Sequence, residues 1–401
     1  MISALLVNAG NYLYNLIVGR ILGPNGFADA AILITFLLVL SFMAMTFQLV
    51  TAKYTVLFSA SVIGNFIKYI IKRALVISII LGILIVIYSK KLQVIFNTNT
   101  HEMFVVFGIG VPVYFLMSIN RGVYQGKKQF VKLSITYQGE MLSRLMITLL
   151  LLYFINIQSS ILIAIGIIIS LVFSMFPFSL TKFLMVKNEV LSEHQKKIIF
   201  KFLVLTAFYE CTQIIINNSD ILLVKHYFDN YQAGLYASLA LIGRVVYFIA
   251  WMFVMLLLPA VVNKEKEGLP HGFILLKYVG YITLLSITIV VGSYLFPEFV
   301  VTILFGNEYI EIAPLLWKYA LATSIFAISN VFAYYFLSID KYVPVVITGV
   351  LGIAQVLLII FFHNSLYEVV FVQIIAMLIL LIVQIIFFYI NSIYHRNTIN
   401  D

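Results

Sequence analysis

Charge is what this sequence has least of. Asp, Glu, Lys and Arg make up 10% of its 401 residues, against about 25% in soluble proteins. Hydrophobic residues make up 63%, and mean hydropathy is +1.08. A water-soluble chain of this length could not hide so much apolar surface, so lipid is the solvent for most of it. Cysteine is nearly absent. A single Cys211 excludes an intrachain disulfide and a thiolate metal cluster. His101, His194, His226, His271, His363 and His395 lie at no metal-ligand spacing. There is no phosphate-binding glycine loop, dinucleotide fingerprint or HExxH helix, so neither a cofactor nor a metal is expected. The first apolar run has no basic n-region before it, so no cleavable signal peptide is expected.

What the sequence has is long apolar runs. A helix needs about 20 mainly apolar residues to cross a bilayer. Lipid allows only helices or closed barrels, because nothing else satisfies the backbone there. Barrel strands alternate apolar and polar residues, whereas these runs are apolar on every face. Twelve spans are predicted, at 2–21, 29–52, 69–88, 103–119, 134–156, 160–182, 199–218, 233–260, 273–296, 312–337, 343–362 and 366–393. No connection is long enough for a folded extramembrane domain. The widest gap, near Lys182 to Lys201, reads as a short amphipathic linker and halves the chain. The expected fold is an all-α integral membrane protein of twelve transmembrane helices. They form two six-helix lobes, 1–190 and 191–401, around a central cleft.

The few charges are uneven. With 25 Lys+Arg and 16 Asp+Glu, the formal net charge is +9. The positives lie between apolar segments, so no nucleic acid partner is expected. Eighteen of the 25 fall on one set of loop sides, including Lys68, Lys72, Arg73, Arg121, Lys127, Lys128 and Lys132. Arg20, Lys90, Lys91 and Lys225 fall on the other, and Arg144, Arg244 and Lys318 fall inside spans. Cytoplasmic loops carry the excess of Lys and Arg, which places both termini in the cytoplasm. The basic loop from Arg121 to Lys132 also suits anionic lipid headgroups.

The two halves echo one another. The first span ends NLIVGR, Asn15 to Arg20, and the seventh ends DILLVK, Asp220 to Lys225. Each is followed by a short loop and a new helix, FADAAIL from Phe27 and AGLYASL from Ala233. With six spans per half, the repeats run in the same direction, one of the two repeat types seen in transporters.

Short motifs then carry a family likeness. LGPNGFA, Leu22 to Ala28, resembles the L-G-P-x-x-[FY]-G turn of polysaccharide flippases, with Ala28 in place of the last Gly. NRGVYQGKKQF, Asn120 to Phe130, is similar to the family's R-G-x-x-Q-G-x-x-x-[FY] stretch after the fourth helix. EMLSRL, Glu140 to Leu145, follows in its usual place. LFGNEY, Leu304 to Tyr309, resembles F-G-x-x-Y, with Ala313 and paired Leu315-Leu316 after it. These are the oligosaccharide transporters of the multidrug/oligosaccharidyl-lipid/polysaccharide exporter superfamily. The resemblance implies a flippase, not an enzyme. Its expected substrate is an undecaprenyl-pyrophosphate-linked oligosaccharide, the repeat unit of an O-antigen, capsule or exopolysaccharide. It would cross the bacterial inner (cytoplasmic) membrane by alternating access, with membrane lipids around it. H⁺ or Na⁺ would be the coupling ion, and a polysaccharide polymerase would take the product. Two other readings stand beside it. One is a multidrug or metabolite antiporter of the same superfamily. The other is a membrane polysaccharide polymerase or ligase, which typically carries a large outer loop that is missing here.

Ionisable groups inside a bilayer are costly enough to mark function. Arg244, deep in LIGRVVYF, heads the substrate-binding candidates, with Glu210 of FYECTQ as its expected partner. Arg20 and Lys225 close the matched spans, where they either hold pyrophosphate oxygens or snorkel to the interface. Basic residues on the first, second and eighth helices are thought to hold the pyrophosphate in related lipid II flippases. Arg20, Lys53 and Arg244 lie on those helices here. Lys318, beside Trp317 and Tyr319, lines a cleft or anchors at the interface. Glu140 and Arg144, four apart on one helix face, are expected to neutralise each other. Asp220, with Asn217, Asn218 and Ser219, is either a coupling site or simply where the seventh span ends. Gln48, Gln138 and Gln213 are further polar candidates inside spans.

Overall fold

The kink in the first long helix is written in two residues. Gly23 takes φ 64 and ψ 178 within α1 (Ile2–Leu57), a left-handed φ that favours glycine. Pro24 follows, lacking an N–H to donate and pre-set for a first helical turn. Two helical arms, 2–22 and 24–57, therefore meet where LGPNGFA was read as a turn. The computed structural model describes residues 2–180, 191–266, 270–339, 341 and 343–400.

The remaining helices are α2 (Ala60–Ile87), α3 (Ser89–Ile95), α4 (Glu102–Gly126), α5 (Phe130–Phe154), α6 (Ser159–Phe173) and α7 (Glu193–Tyr227). They continue with α8 (Asn230–Gly243), α9 (Val245–Lys266), α10 (Gly272–Leu295), α11 (Pro297–Leu304) and a 3-10 helix (Asn307–Leu315). Three more complete the chain: α12 (Leu316–Ser338), α13 (Val343–Phe361) and α14 (Leu366–Asn400). Helix accounts for 89%, with no strand among the described residues. Nine helical stretches among the described residues are long and apolar enough to cross a membrane. One of these, Leu6–Leu57, carries both arms of α1, and α6 is a shorter apolar helix. Side chains such as Ile80, Ile83, Ile87, Tyr153 and Phe154 stand exposed on the outside, as a lipid-facing surface requires.

Several expected boundaries move. The seventh span, expected at 199–218, lies within a helix that runs on to Tyr227. It starts at Glu193 because Ser192 and Gln195 cap it reciprocally: the Gln195 N–H donates to Ser192 Oγ at 3.2 Å, and the Ser192 N–H to Gln195 Oε1 at 2.9 Å. The eighth expected span is broken at Arg244, between α8 and α9. Much of the expected linker, including Lys182 and Lys187, lies outside the described residues.

The chain forms two compact units, Met1–Ile214 and Ile215–Asp401. In the first, α4 is central and packs on α1, α2 and α6. In the second, α12 is central and packs on α14, α10 and α9. The α1–α4 contact is a close approach of backbones. A Cβ at Gly122 would sit 2.5 Å from the Gln48 carbonyl oxygen, and one at Gly126 would sit 2.5 Å from that of Ala52. Gly122 and Gly126 are four apart, the small-residue spacing that lets membrane helices pack tightly. Gly126→Val should therefore lower stability by about 1–3 kcal/mol through overpacking. Thermal unfolding of the purified protein in detergent measures this, and an unchanged midpoint would refute the close approach.

Candidate functional site

Each unit carries a buried ion-pair network. The second unit's network is built on Asp220, 1% exposed in the last third of α7. Arg244 donates from Nη2 to Asp220 Oδ1 at 2.7 Å and from Nε to the Tyr319 hydroxyl at 3.0 Å. Tyr319 donates to Asp220 Oδ2 at 2.8 Å, and Tyr236 donates to the same oxygen at 3.1 Å. Gln373 on α14 donates to the Tyr236 hydroxyl at 2.5 Å. The two phenol rings meet edge to face at 5.7 Å. Helices α7, α8, α12 and α14 and the α8–α9 junction are thus joined through one carboxylate. A small cavity of about 20 Å³ beside it is lined in part by Asn217, Thr323 and Gln355.

The first unit's network is built on Glu140. Arg121 donates from Nη2 to Glu140 Oε2 at 2.7 Å, and Arg144 donates to Oε1. Arg121 also donates to Thr136 Oγ1 at 3.1 Å and to the Thr136 carbonyl at 3.0 Å. Its guanidinium lies 3.8 Å from the Tyr137 ring centre, a cation–π contact. Arg144 reaches Ser170 Oγ on α6 at 3.4 Å. The triad ties α4, α5 and α6 and carries a formal charge of +1, from two guanidinium groups and one carboxylate.

These networks correct three expectations. Arg244 pairs with Asp220, not with Glu210. Asp220 lies in the same compact unit as Arg244, whereas Glu210 belongs to the other. Asp220 is accordingly not a helix end. Arg121, read as a cytoplasmic loop charge, is buried at 4% exposure because α4 continues to Gly126. The Glu140–Arg144 pair is present as expected, with Arg121 as its third member.

The other candidates divide by exposure. Lys225 is buried and bonded to Asn230 Oδ1. Arg20 is exposed at the end of the first arm of α1. Its match with Lys225 in the sequence is therefore not a match in environment. Lys53 is exposed near the end of the second arm, with Nζ 3.7 Å from the Phe202 ring centre. Lys318 is half-buried, 4.0 Å from the ring centre of Tyr367 and 5.4 Å from that of Trp317. Glu210 is half-buried and belongs to neither network. Gln48 donates to Gln125 Oε1 at 3.0 Å and to the Tyr137 hydroxyl at 3.1 Å. Gln138 donates to Ser3 Oγ at 3.2 Å, and Gln213 is buried.

Reading the sequence alone missed Tyr236, Tyr319 and Gln373, whose polar tips are hidden among apolar neighbours. It also missed Asn120, which donates to the carbonyls of Met175 and Pro177 and accepts from Ser179. The N-R-G-x-Y-Q-G stretch is thus a packing motif. Asn120 and Tyr124 hold the segment after α6, Arg121 meets Glu140, and Gln125 meets Gln48. The spacing of Gly122 and Gly126 was the available signal.

The fold is that of a multi-helix membrane protein. The model of the polysaccharide biosynthesis protein family matches residues 17–314, and the chain belongs to that family. None of the curated proteins matches it. Among solved structures, the fold is similar to a multidrug resistance MATE family transporter of the MOP superfamily in an inward-facing conformation. The TM-score is 0.83 at 12% identity, over 98% of this chain and 96% of that one. It is also similar to the lipid II flippase MurJ in an inward closed conformation, with TM-score 0.78 at 14% identity over 96% and 86%. A MOP superfamily transporter from Pyrococcus furiosus gives TM-score 0.61 at 14% identity over 97% and 93%.

Proposed function

We propose that this protein flips an undecaprenyl-pyrophosphate-linked oligosaccharide, the repeat unit of an O-antigen, capsule or exopolysaccharide. In this reading it has twelve spans, six in each lobe (1–190 and 191–401), and works by alternating access. It lies in the bacterial inner membrane with both termini cytoplasmic, and a polysaccharide polymerase takes the product. Family membership supports the polysaccharide context. The observation that carries the substrate assignment is how the charges are arranged. Glu140 is held by two arginines, and Asp220 by one arginine and two phenols. Neither of these two carboxylates is available to a cationic drug, which leaves half-buried Glu210 as the candidate carboxylate open to a small cation. Arg20 and Lys53, by contrast, present exposed positive charge at the ends of the two arms of α1. An exposed guanidinium can take pyrophosphate oxygens in pairs. Arg20 and Lys53 are therefore the proposed phosphate contacts. Arg244, Lys225 and Lys318 are positioning residues, and Glu210 is the carboxylate available to a coupling H⁺ or Na⁺.

Purified protein in proteoliposomes should translocate a fluorescent lipid-linked oligosaccharide. Arg20→Ala combined with Lys53→Ala should slow it by at least about tenfold, the loss of roughly 1.4 kcal/mol of binding. An imposed pH or Na⁺ gradient should accelerate the wild type and not Glu210→Gln. If no lipid-linked glycan crosses, and a null strain keeps its surface polysaccharide, the flippase reading is lost. A raised drug tolerance on overexpression would favour the antiporter instead.

A further inference from the structure

In the first unit an open groove of about 630 Å³ runs beside the end of the first arm of α1. Ile21 forms one wall, and Met146, Leu149, Leu150, Leu152 and Tyr153 of α5 form the other. Four of these α5 residues recur at 146, 149, 150 and 153, a single stripe on one helix face. Ile21, Met146, Leu150 and Tyr153 are each more than half exposed. The volume is that of a small-molecule site, about 300–1,000 Å³. Apart from the Tyr153 hydroxyl, the lining side chains offer no polar group. Residues 2–22 and 146–153, which supply the walls, include Arg20 and no Asp or Glu. Arg20 immediately precedes Ile21 and is exposed.

We propose that this groove seats the polyprenyl chain of the lipid-linked substrate, with its phosphate against Arg20. A hydrocarbon wall flanked by positive charge fits a long apolar chain with an anionic head. One groove with one exposed cation at its end matches a carrier of one chain and one head, whereas a bilayer phospholipid brings two chains. The seat rests on the flippase reading for the identity of the chain. In that topology Arg20 and the end of α5 face the outer leaflet, so the groove holds the lipid at delivery.

The test is photolabelling in phosphatidylcholine proteoliposomes with a diazirine-bearing polyprenyl phosphate, followed by peptide mapping. Label should concentrate on Ile21 and residues 146–153. Unlabelled polyprenyl phosphate should compete, and phosphatidylglycerol should not. Leu150→Trp and Met146→Trp, at exposed positions that tolerate bulk, should fill the groove and reduce labelling. Arg20→Ala should weaken capture of the phosphate by about tenfold and leave capture of the uncharged polyprenol unchanged. Label spread evenly over the exposed helices would overturn the proposal, as would equal competition by phosphatidylglycerol. Labelling does not depend on transport, so the two readings fail separately. Localised label without translocation keeps the groove and removes the flippase. Translocation with label elsewhere removes the groove.

Discussion

Glu140→Ala should destabilise the first unit by at least about 3–5 kcal/mol, the cost of leaving a buried charge without its partner. The case is worse than an ordinary broken pair, because two guanidinium groups share this carboxylate. Arg121 keeps Thr136 and the Tyr137 ring, and Arg144 keeps Ser170. Neutral acceptors leave two buried like charges facing one another. Glu140→Gln restores an acceptor but not the charge, so it should recover only part of the loss. Burial also shields the triad from counterions, so added salt should not rescue either variant. Thermal unfolding in detergent and the yield of monodisperse protein measure the effect. A Glu140→Ala protein as stable as the wild type would show that the triad does not hold α4, α5 and α6 together. The same change should stop transport only through loss of folded protein. A stable but inactive Glu140→Gln protein would instead make the carboxylate part of the coupling machinery.

The elements that could be read from the sequence were those that repeat a local rule. Apolar length located the long helices, although α6 ends at Phe173, short of the expected 160–182, and Gly23-Pro24 marked the kink because both residues act on their own backbone. The pairing of charges could not be read the same way. Glu140 and Arg144 were found because they share one helix face. Arg121 comes from another helix, and nothing local distinguishes a basic residue one step past an apolar run from one well inside a longer helix. The choice between Glu210 and Asp220 depended on where α7 ends and how it lies against the α8–α9 junction. Both are tertiary facts, and the polar stretch Asn217 to Asp220 disguised them as a terminus. Tyrosines were hidden for another reason. Tyr236 and Tyr319 are counted with the hydrophobic residues that make up 63% of the chain, yet their hydroxyls are what complete the shell around Asp220.

The role of Arg244 can be separated from its charge by a double-mutant cycle with Asp220. Arg244→Met alone leaves a carboxylate buried at 1% exposure, still receiving hydrogen bonds from Tyr319 and Tyr236. Asp220→Leu alone leaves a guanidinium with only the Tyr319 hydroxyl. Each should cost about 3–5 kcal/mol, with the Asp220 variant the more damaging because phenols can solvate an anion but hardly a cation. The double variant removes both charges, and replacing a whole buried pair by apolar residues is often neutral or stabilising. Its stability should therefore return to within about 1–2 kcal/mol of the wild type, the residual being two phenols without their acceptor. That variant then decides the function. If Arg244 acts only by fixing α7 against α8, α12 and α14, the folded double variant should still move lipid-linked glycan at a rate near the wild type. If Arg244 must offer its charge to the substrate during the cycle, the same protein will be stable and inactive. Arg244→Lys distinguishes further: it keeps the charge for Asp220 but loses the second donor to Tyr319, so near-normal transport there would place the function in the charge, not in the fork.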